Sequence, residues 1–155
     1  VFIDGGIHKA SVLAYLTGRP NQVFAVQVPP GIEGLDAEDG MVVTTRSANG
    51  VVGIINHSWS IGEPAGRPWV SVSGTEANIR FEMGNPWLET EYGGLKETIR
   101  FDPDHRGIVS MVLEFRRSIL EASEPAMTGE EGLLDLKIVL KAYESAQTGL
   151  PVELN

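Results

Sequence analysis

Residues 41–59 read MVVTTRSANGVVGIINHSW, a stretch with the pattern of two β-strands around a tight turn. Two runs rich in β-branched residues, Met41–Ser47 and Val51–Trp59, flank the dipeptide Asn49-Gly50. Because Asn-Gly readily adopts the positive φ values of a tight hairpin, the stretch predicts two antiparallel strands joined at that dipeptide.

Similar short runs lie on both sides of this hairpin, separated by Gly, Pro and Asn, and no helical spacing interrupts them. Consecutive strands of this kind pair antiparallel, because parallel neighbours need long crossover connections. With the hairpin they make about seven strands. The further predicted strands are Gln22–Val28, Trp69–Ser73, Asn78–Glu82, Trp87–Tyr92 and Glu97–Phe101.

Helical spacing is confined to the two ends of the chain. Asp4 is predicted as the N-cap of a first helix that ends at Gly18. A second helix is predicted over Gly107–Ala122, a third opens with a capping box at Thr128–Glu131, and the tail Val152–Leu154 is predicted as an edge strand. The pattern predicts an α+β fold: an open-faced, predominantly antiparallel sheet with helices packed on one face.

The second strand of the hairpin is apolar on both sides. One side carries Val51, Ile55 and Trp59, and the other carries Val52 and Ile54. A single layer of helices covers only one face of a sheet, so we expect the other face to meet another protein surface. The hypothesis is a homo-oligomer packed sheet to sheet.

Composition excludes several classes of protein. The 155 residues suffice for about one domain, and a net charge of −9 argues against binding to nucleic acid or to an anionic membrane. The absence of cysteine excludes disulfides, thiolate metal sites and a Cys nucleophile, and it fits a cytoplasmic protein. No apolar run approaches the roughly 18 residues of a membrane span. The acidic residues are predicted to form a solvated surface: Glu33, Asp36, Glu38, Asp39, Glu121, Glu124, Glu130 and Glu131.

Motifs that carry chemistry are few. The chain has no G-x-G-x-x-G, no phosphate-binding G-x-x-x-x-G-K-[ST] and no H-E-x-x-H. The candidate site is Asp4-Gly-Gly-Ile-His8, where i to i+4 spacing places a carboxylate and an imidazole on one side of a helical turn. An imidazole can pass a proton to or from a hydroxyl, and a carboxylate can orient it.

Other interpretations of the histidines remain open. Asp4 could simply cap the helix, with His8 an exposed residue one turn further on, and as half a metal site the pair lacks a third ligand. His57 could line a substrate cavity or be a packed core or interface histidine. His105 lies in a turn-rich stretch and is predicted to be exposed.

Several segments together are similar to one family. The stretch Asp4-Gly-Gly-Ile-His8 resembles the D-x-G-x-H helix that begins the C-terminal domain of Gfo/Idh/MocA oxidoreductases. Further likenesses are Glu38–Val43 leading to Ala48–Gly50, Val72–Ala77, and the C-terminal stretch Thr128–Leu154. The resemblance covers nearly the whole chain. Two departures are Ser11, where many relatives carry Asp, and the basic Lys9 beside His8.

The resemblance implies that residues 1–155 form a single C-terminal domain for substrate binding and oligomerisation. An N-terminal Rossmann domain, holding NAD or NADP and a catalytic lysine, would lie outside this chain, and Val1 would be an internal boundary. The parent would act on a sugar, polyol or related hydroxyl or carbonyl compound, with His8 transferring a proton and Asp4 assisting. This chain alone is expected to be inactive, with no cofactor and no metal bound. The alternative is a non-catalytic assembly or substrate-binding module.

Overall fold

The computed structural model describes residues 1–62, 68–104 and 107–154. The chain divides into two compact units, Val1–Gly62 with Met127–Asn155, and Glu63–Ala126. In chain order the elements are a π-helical turn (Phe2–Gly6), α1 (Ile7–Thr17), β1 (Pro20–Gln27), β2 (Gly40–Ser47), β3 (Val52–Ser58), β4 (Val70–Ser73), β5 (Ala77–Phe81), β6 (Trp87–Tyr92), β7 (Leu95–Arg100), α2 (Ile108–Glu121), α3 (Gly129–Thr148) and β8 (Val152–Glu153).

The predicted local signals form as expected in the first unit. Gly50, with φ 85°, closes the turn between β2 and β3, and the Asn49 side chain accepts a hydrogen bond from the Val51 N–H at 3.1 Å. The predicted capping box is present at the start of α3, where Thr128 and Glu131 bond each other's backbone N–H groups. The tail β8 pairs with β1 at the edge of the sheet.

The first unit is one antiparallel sheet, of strand order β3-β2-β1-β8, with α1 and α3 packed on one face. Alternate side chains of the strands point into the core, as the two-residue period of a strand requires. The buried apolar residues are Phe2, Ala10, Leu13, Val23, Ala25, Met41, Val43, Ile55, Ile138, Val139 and Ala142. A buried hydroxyl ties α3 to β1, because Ser145 Oγ accepts from the Ala25 N–H at 3.0 Å.

The opposite face of this sheet is open, and we call it the open face. Its exposed apolar side chains are Phe24, Val26, Val42, Val52 and Ile54. Val52 and Ile54 remain 58% and 70% exposed, so both sides of β3 are apolar while helices cover only one.

The second unit contains an antiparallel sheet of order β4-β5-β6-β7 and the helix α2. Cross-strand partners include Arg80 and Glu89, which form an ion pair. The predicted apolar stripe of α2 is present as a helix face, but it is exposed: Ile108, Met111, Val112, Phe115 and Ile119.

The α+β class and the antiparallel pairing are confirmed, and the strands divide between two four-stranded sheets. Among the described residues, no helix combines the length and the apolar character that crossing a membrane requires.

Candidate functional site

Asp4 and His8 lie on consecutive turns of one helical segment at the start of the chain. Asp4 belongs to the π-helical turn, where the N–H groups of Asp4 and Gly5 both donate to the Val1 carbonyl, at 3.1 and 2.9 Å. His8 is the second residue of α1, and both side chains are exposed. Short π-helical turns are frequent at functional sites.

The prediction that Asp4 caps this helix is wrong. Asp4 lies inside the first turn, and neither the π-helical turn nor α1 has a side-chain hydrogen bond from its own N-cap residue. The Glu38 carboxylate takes that role, because its Oε1 accepts from the Val1 nitrogen at 2.8 Å and from the Phe2 N–H at 2.5 Å. A distant carboxylate therefore satisfies donors that a helix start leaves free, and its charge opposes the positive end of the helix dipole.

Tyr143 of α3 completes this arrangement. Its hydroxyl donates to Glu38 Oε1 at 2.6 Å and accepts from the Ile3 N–H at 3.1 Å. Burial, which would raise the pKa of Glu38, is outweighed by the hydrogen bonds from the Val1 ammonium, Tyr143 and Phe2 and by the charge of that ammonium, which together lower it to about 2 in the 155-residue chain. Burial and the Glu38 carboxylate raise the pKa of Tyr143 to about 12. The pair is therefore a carboxylate and a protonated phenol at neutral pH.

Two glycines let the segment lie close to aromatic rings. A Cβ on Gly6 would lie 2.3 Å from Cδ2 of Phe2, whose side chain is fully buried. On Gly5 it would lie 2.6 Å from Cε1 of His57. Both distances are shorter than any van der Waals contact between carbons, so this approach requires glycine at each position.

His57 is a packed histidine, which is the second of the two interpretations left open by the sequence. It is 8% exposed and lies edge-on to Phe2, with ring centroids 6.1 Å apart. Burial, and secondarily the positive charge of Lys9, lower its pKa, so the ring is held neutral. Its Nε2 has no hydrogen-bond partner among the described residues. His105, predicted to be exposed, lies outside the described residues.

The two departures from the family pattern have structural roles. Lys9 Nζ donates to the Asn56 carbonyl at 2.8 Å, which ties α1 to β3. Ser11 lies beside the segment just before α3, where its hydroxyl contacts Met127 Sδ at 3.8 Å. Asp135 is buried, and that burial raises its pKa.

The prediction of a solvated acidic surface is wrong for Glu38 and Asp39. The Glu38 side chain is 8% exposed, and Asp39 is fully buried. Asp39 Oδ2 accepts from the N–H groups of Gly31 and Ile32, and the first of these bonds contributes most to lowering its pKa. Adjacent acidic residues thus hold two different segments, the loop after β1 and the start of the chain.

The arrangement offers an imidazole and a carboxylate to solvent on a turn whose backbone is tied on its inner side. In the described ranges, no group of three or more His, Cys, Asp or Glu side chains could hold a metal ion. An exposed imidazole is a side chain that can take up or release a proton during a reaction.

Sequence reasoning proposed Asp4 and His8 as candidates but missed the two residues that contact the backbone beside them. Glu38 and Tyr143 carry no local signal, since 105 residues separate them. The Gly5-Gly6 pair was the available signal, because consecutive glycines inside a predicted helix indicate close approach of other groups.

Comparison with known proteins identifies the domain. The model of an oxidoreductase family's C-terminal alpha/beta domain matches residues 1–154. No significant match was found among curated proteins.

Solved structures that share the fold include three oxidoreductases. An oxidoreductase from Agrobacterium radiobacter in complex with NAD+, L-tartaric acid and magnesium is 20% identical, with a TM-score of 0.85, over 99% of this chain and 48% of that one. Aldose-aldose oxidoreductase from Caulobacter crescentus, complexed with glycerol, is 22% identical, with a TM-score of 0.80, over 96% of this chain and 46% of that one. Levoglucosan dehydrogenase, in complex with NADH and levoglucosan, is 20% identical, with a TM-score of 0.79, over 97% of this chain and 49% of that one. This chain thus spans about half the length of the structures it matches.

Proposed function

This chain belongs to the Gfo/Idh/MocA oxidoreductase family as its C-terminal alpha/beta domain, and we propose that its parent is an NAD(P)-dependent dehydrogenase. The proposed substrate is a sugar, a polyol or a related hydroxyl or carbonyl compound. Support comes from the neighbours: one is a levoglucosan dehydrogenase bound to NADH, and another is an aldose-aldose oxidoreductase. Because the chain lacks a dinucleotide fingerprint, the cofactor would be held by a Rossmann domain outside it.

In the proposed reaction His8 is the catalytic acid/base. When bound, the nicotinamide supplies the hydride acceptor or donor. His8 takes the proton of the substrate hydroxyl during oxidation and returns it during reduction. Asp4, which lies one turn away on the same helical segment, is proposed to assist His8. This chain alone is proposed to be inactive.

The observation that carries the proposal is the exposure of Asp4 and His8 on a turn whose backbone is anchored. Glu38, Tyr143 and the two close-packed glycines occupy the inner side of that turn. The outer side is left to the two groups that proton transfer needs, and a catalytic group requires such a rigid support.

The test is His8→Ala in the full-length protein, with reduction of NAD+ or NADP+ followed by absorbance and with levoglucosan and glycerol as probe substrates. We expect kcat to fall by roughly 10²- to 10⁴-fold with KM little changed, as for loss of a general acid/base. Tyr15→Ala, an exposed change in the same helix, is the control and should leave kcat unchanged. An unchanged kcat with a raised KM would make His8 a substrate-binding residue.

We also propose that the protein is a cytoplasmic homo-oligomer that assembles through the open face. The exposed apolar side chains on β1, β2 and β3 support this, because such contiguous patches mark interaction surfaces. The same surface supports the alternative function, an assembly or substrate-binding module without chemistry of its own.

A further inference from the structure

Glu38 Oε1 is the meeting point of three parts of the first unit. It accepts from the Val1 nitrogen and the Phe2 N–H at the chain start, and from the Tyr143 hydroxyl of α3. Glu38 itself lies just before β2, and 105 residues separate it from Tyr143. Burying a charged carboxylate is unfavourable unless several donors hydrogen-bond to it. A carboxylate at this position is therefore an energetically expensive way to cap a helix.

We propose that Glu38 and Tyr143 are positioning residues that set where Asp4 and His8 point, by holding the backbone of Val1–Ile3. The inference rests on the proposed function, in which His8 transfers the proton. Neither residue touches substrate; each acts through the helical turn.

The contacts reach three consecutive backbone nitrogens. Glu38 takes those of Val1 and Phe2, and the Tyr143 hydroxyl takes that of Ile3, the residue before Asp4. In a longer chain the Val1 nitrogen would be a backbone amide, so the proposal rests on the Phe2 and Ile3 N–H groups. Because the turn is a hydrogen-bonded unit, a shift at Val1–Ile3 moves Asp4 and His8 with it.

The packing around the turn limits the direction in which it can move. Phe2 lies between Tyr143 and His57, edge-on to both, with ring centroids 6.3 and 6.1 Å away. Gly5 lies directly against His57. The turn therefore has no free space on its inner side, and release of the hydrogen bonds lets it move outward, towards the side that carries Asp4 and His8.

Two conservative variants separate the parts of this contact. Glu38→Gln keeps the size and one acceptor but removes the charge. Tyr143→Phe keeps the ring against Phe2 and removes both hydroxyl hydrogen bonds. Glu144→Gln is the matched control, because Glu144 is exposed and pairs with Lys141 on the surface of α3.

The experiment measures two quantities in the full-length protein with each variant. The first is amide hydrogen exchange of residues 2–9, which reports the order of the turn without activity. The second is kcat and KM with NAD+ or NADP+ and the probe substrates, levoglucosan and glycerol. We expect faster exchange in this segment alone, and a kcat reduced roughly tenfold or more with KM nearly unchanged, the pattern of a misplaced catalytic group. The reduction in kcat of the double variant should be smaller than the two single reductions combined, because both residues act through one contact.

Unchanged exchange in both variants would overturn the proposal. So would faster exchange with an unchanged kcat in an enzyme that His8→Ala inactivates, since the turn would then be loosened without consequence. If His8→Ala itself keeps full kcat, the proposed function fails, and exchange alone decides whether the pair holds the turn.

Discussion

Gly5 and Gly6 lie where two rings approach the backbone of the turn that carries the candidate site. Neither position requires a positive φ, so the need for glycine comes from space alone. The absence of a side chain at these two positions therefore decides whether the turn can lie against Phe2 and His57 at all.

Replacing Gly5 by Ala is expected to destabilise the first unit. The new Cβ would lie 2.6 Å from His57 Cε1, so the ring or the turn must shift, at about 1–3 kcal/mol for overpacking of this kind. Denaturant unfolding would measure the change. Gly132→Ala is the control: that glycine has open space inside α3, so alanine should stabilise by about 0.5–1 kcal/mol. Equal effects at the two positions would contradict the packing argument.

The pKa of Glu38 predicts an acid-dependent loss of stability. A carboxyl with a lowered folded-state pKa contributes stability that is fully present above its unfolded value and is lost as the pH falls through its folded value. In the 155-residue chain, where the Val1 ammonium contributes to this low pKa, the difference in unfolding free energy between wild type and Glu38→Gln should therefore narrow between pH 4.5 and about 2. Denaturant unfolding at a series of pH values tests this, and a gap independent of pH would refute it.

The same measurement at alkaline pH tests Tyr143, whose pKa is raised. The contribution of Tyr143 to stability is present below its pKa in the unfolded state and is lost as the pH rises through its pKa in the folded state. The gap between wild type and Tyr143→Phe should therefore narrow as the pH rises from 10.0 to about 12.

At the scale of elements, helix starts are satisfied in two ways. The third helix uses a local device, in which Thr128 Oγ1 accepts from the Glu131 N–H at 3.3 Å and Glu131 Oε2 accepts from the Thr128 N–H at 2.8 Å. The first helical segment uses Glu38, which is distant in the chain. The capping box can be recognised from four consecutive residues. The contact with Glu38 cannot, because its partners are distant in the sequence.

Thr128→Ala removes half of the local device. We expect a loss of about 1 kcal/mol in the free energy of unfolding, the usual cost of an N-cap deletion. Gln147→Ala, an exposed change in the same helix, should cost nothing. A Thr128 variant as stable as wild type would mean that water replaces the cap without loss.

At the scale of the whole molecule, the open face bears on assembly. Its exposed side chains come from three neighbouring strands of the first unit, and they include Phe24, Val42 and Ile54. Sheet-to-sheet packing of two copies would remove this apolar surface from water.

Ile54→Asp tests that assembly. A charge at the most exposed of these positions should shift the protein towards monomer in light scattering, because an unpaired charge is unfavourable in a buried interface. Tyr15→Asp places the same charge at an exposed residue of α1 and should leave the oligomeric state unchanged. A wild-type protein that is already monomeric would count against the homo-oligomer.

Much of the fold follows from local signals. The turn at Asn49-Gly50, the capping box at Thr128, the helix end at Gly18 and the strand alternation that leaves Ile54 exposed all act within a few residues, and each formed as predicted. The placement of Asp4 and His8 on one helical segment is local in the same sense.

The tertiary structure determined the contacts between residues that lie far apart in the chain. It placed Glu38 on the Phe2 N–H, 36 residues away, buried Asp39 beside it, and divided one run of strands between two sheets. An acidic residue before a strand has the same local propensity whether it faces water or a helix start, because propensity depends on its own backbone and near neighbours. Only the path of the whole chain brings the donors that make burial of Glu38 favourable, so sequence alone determined which turn carries the candidate site, and the tertiary structure determined what holds it.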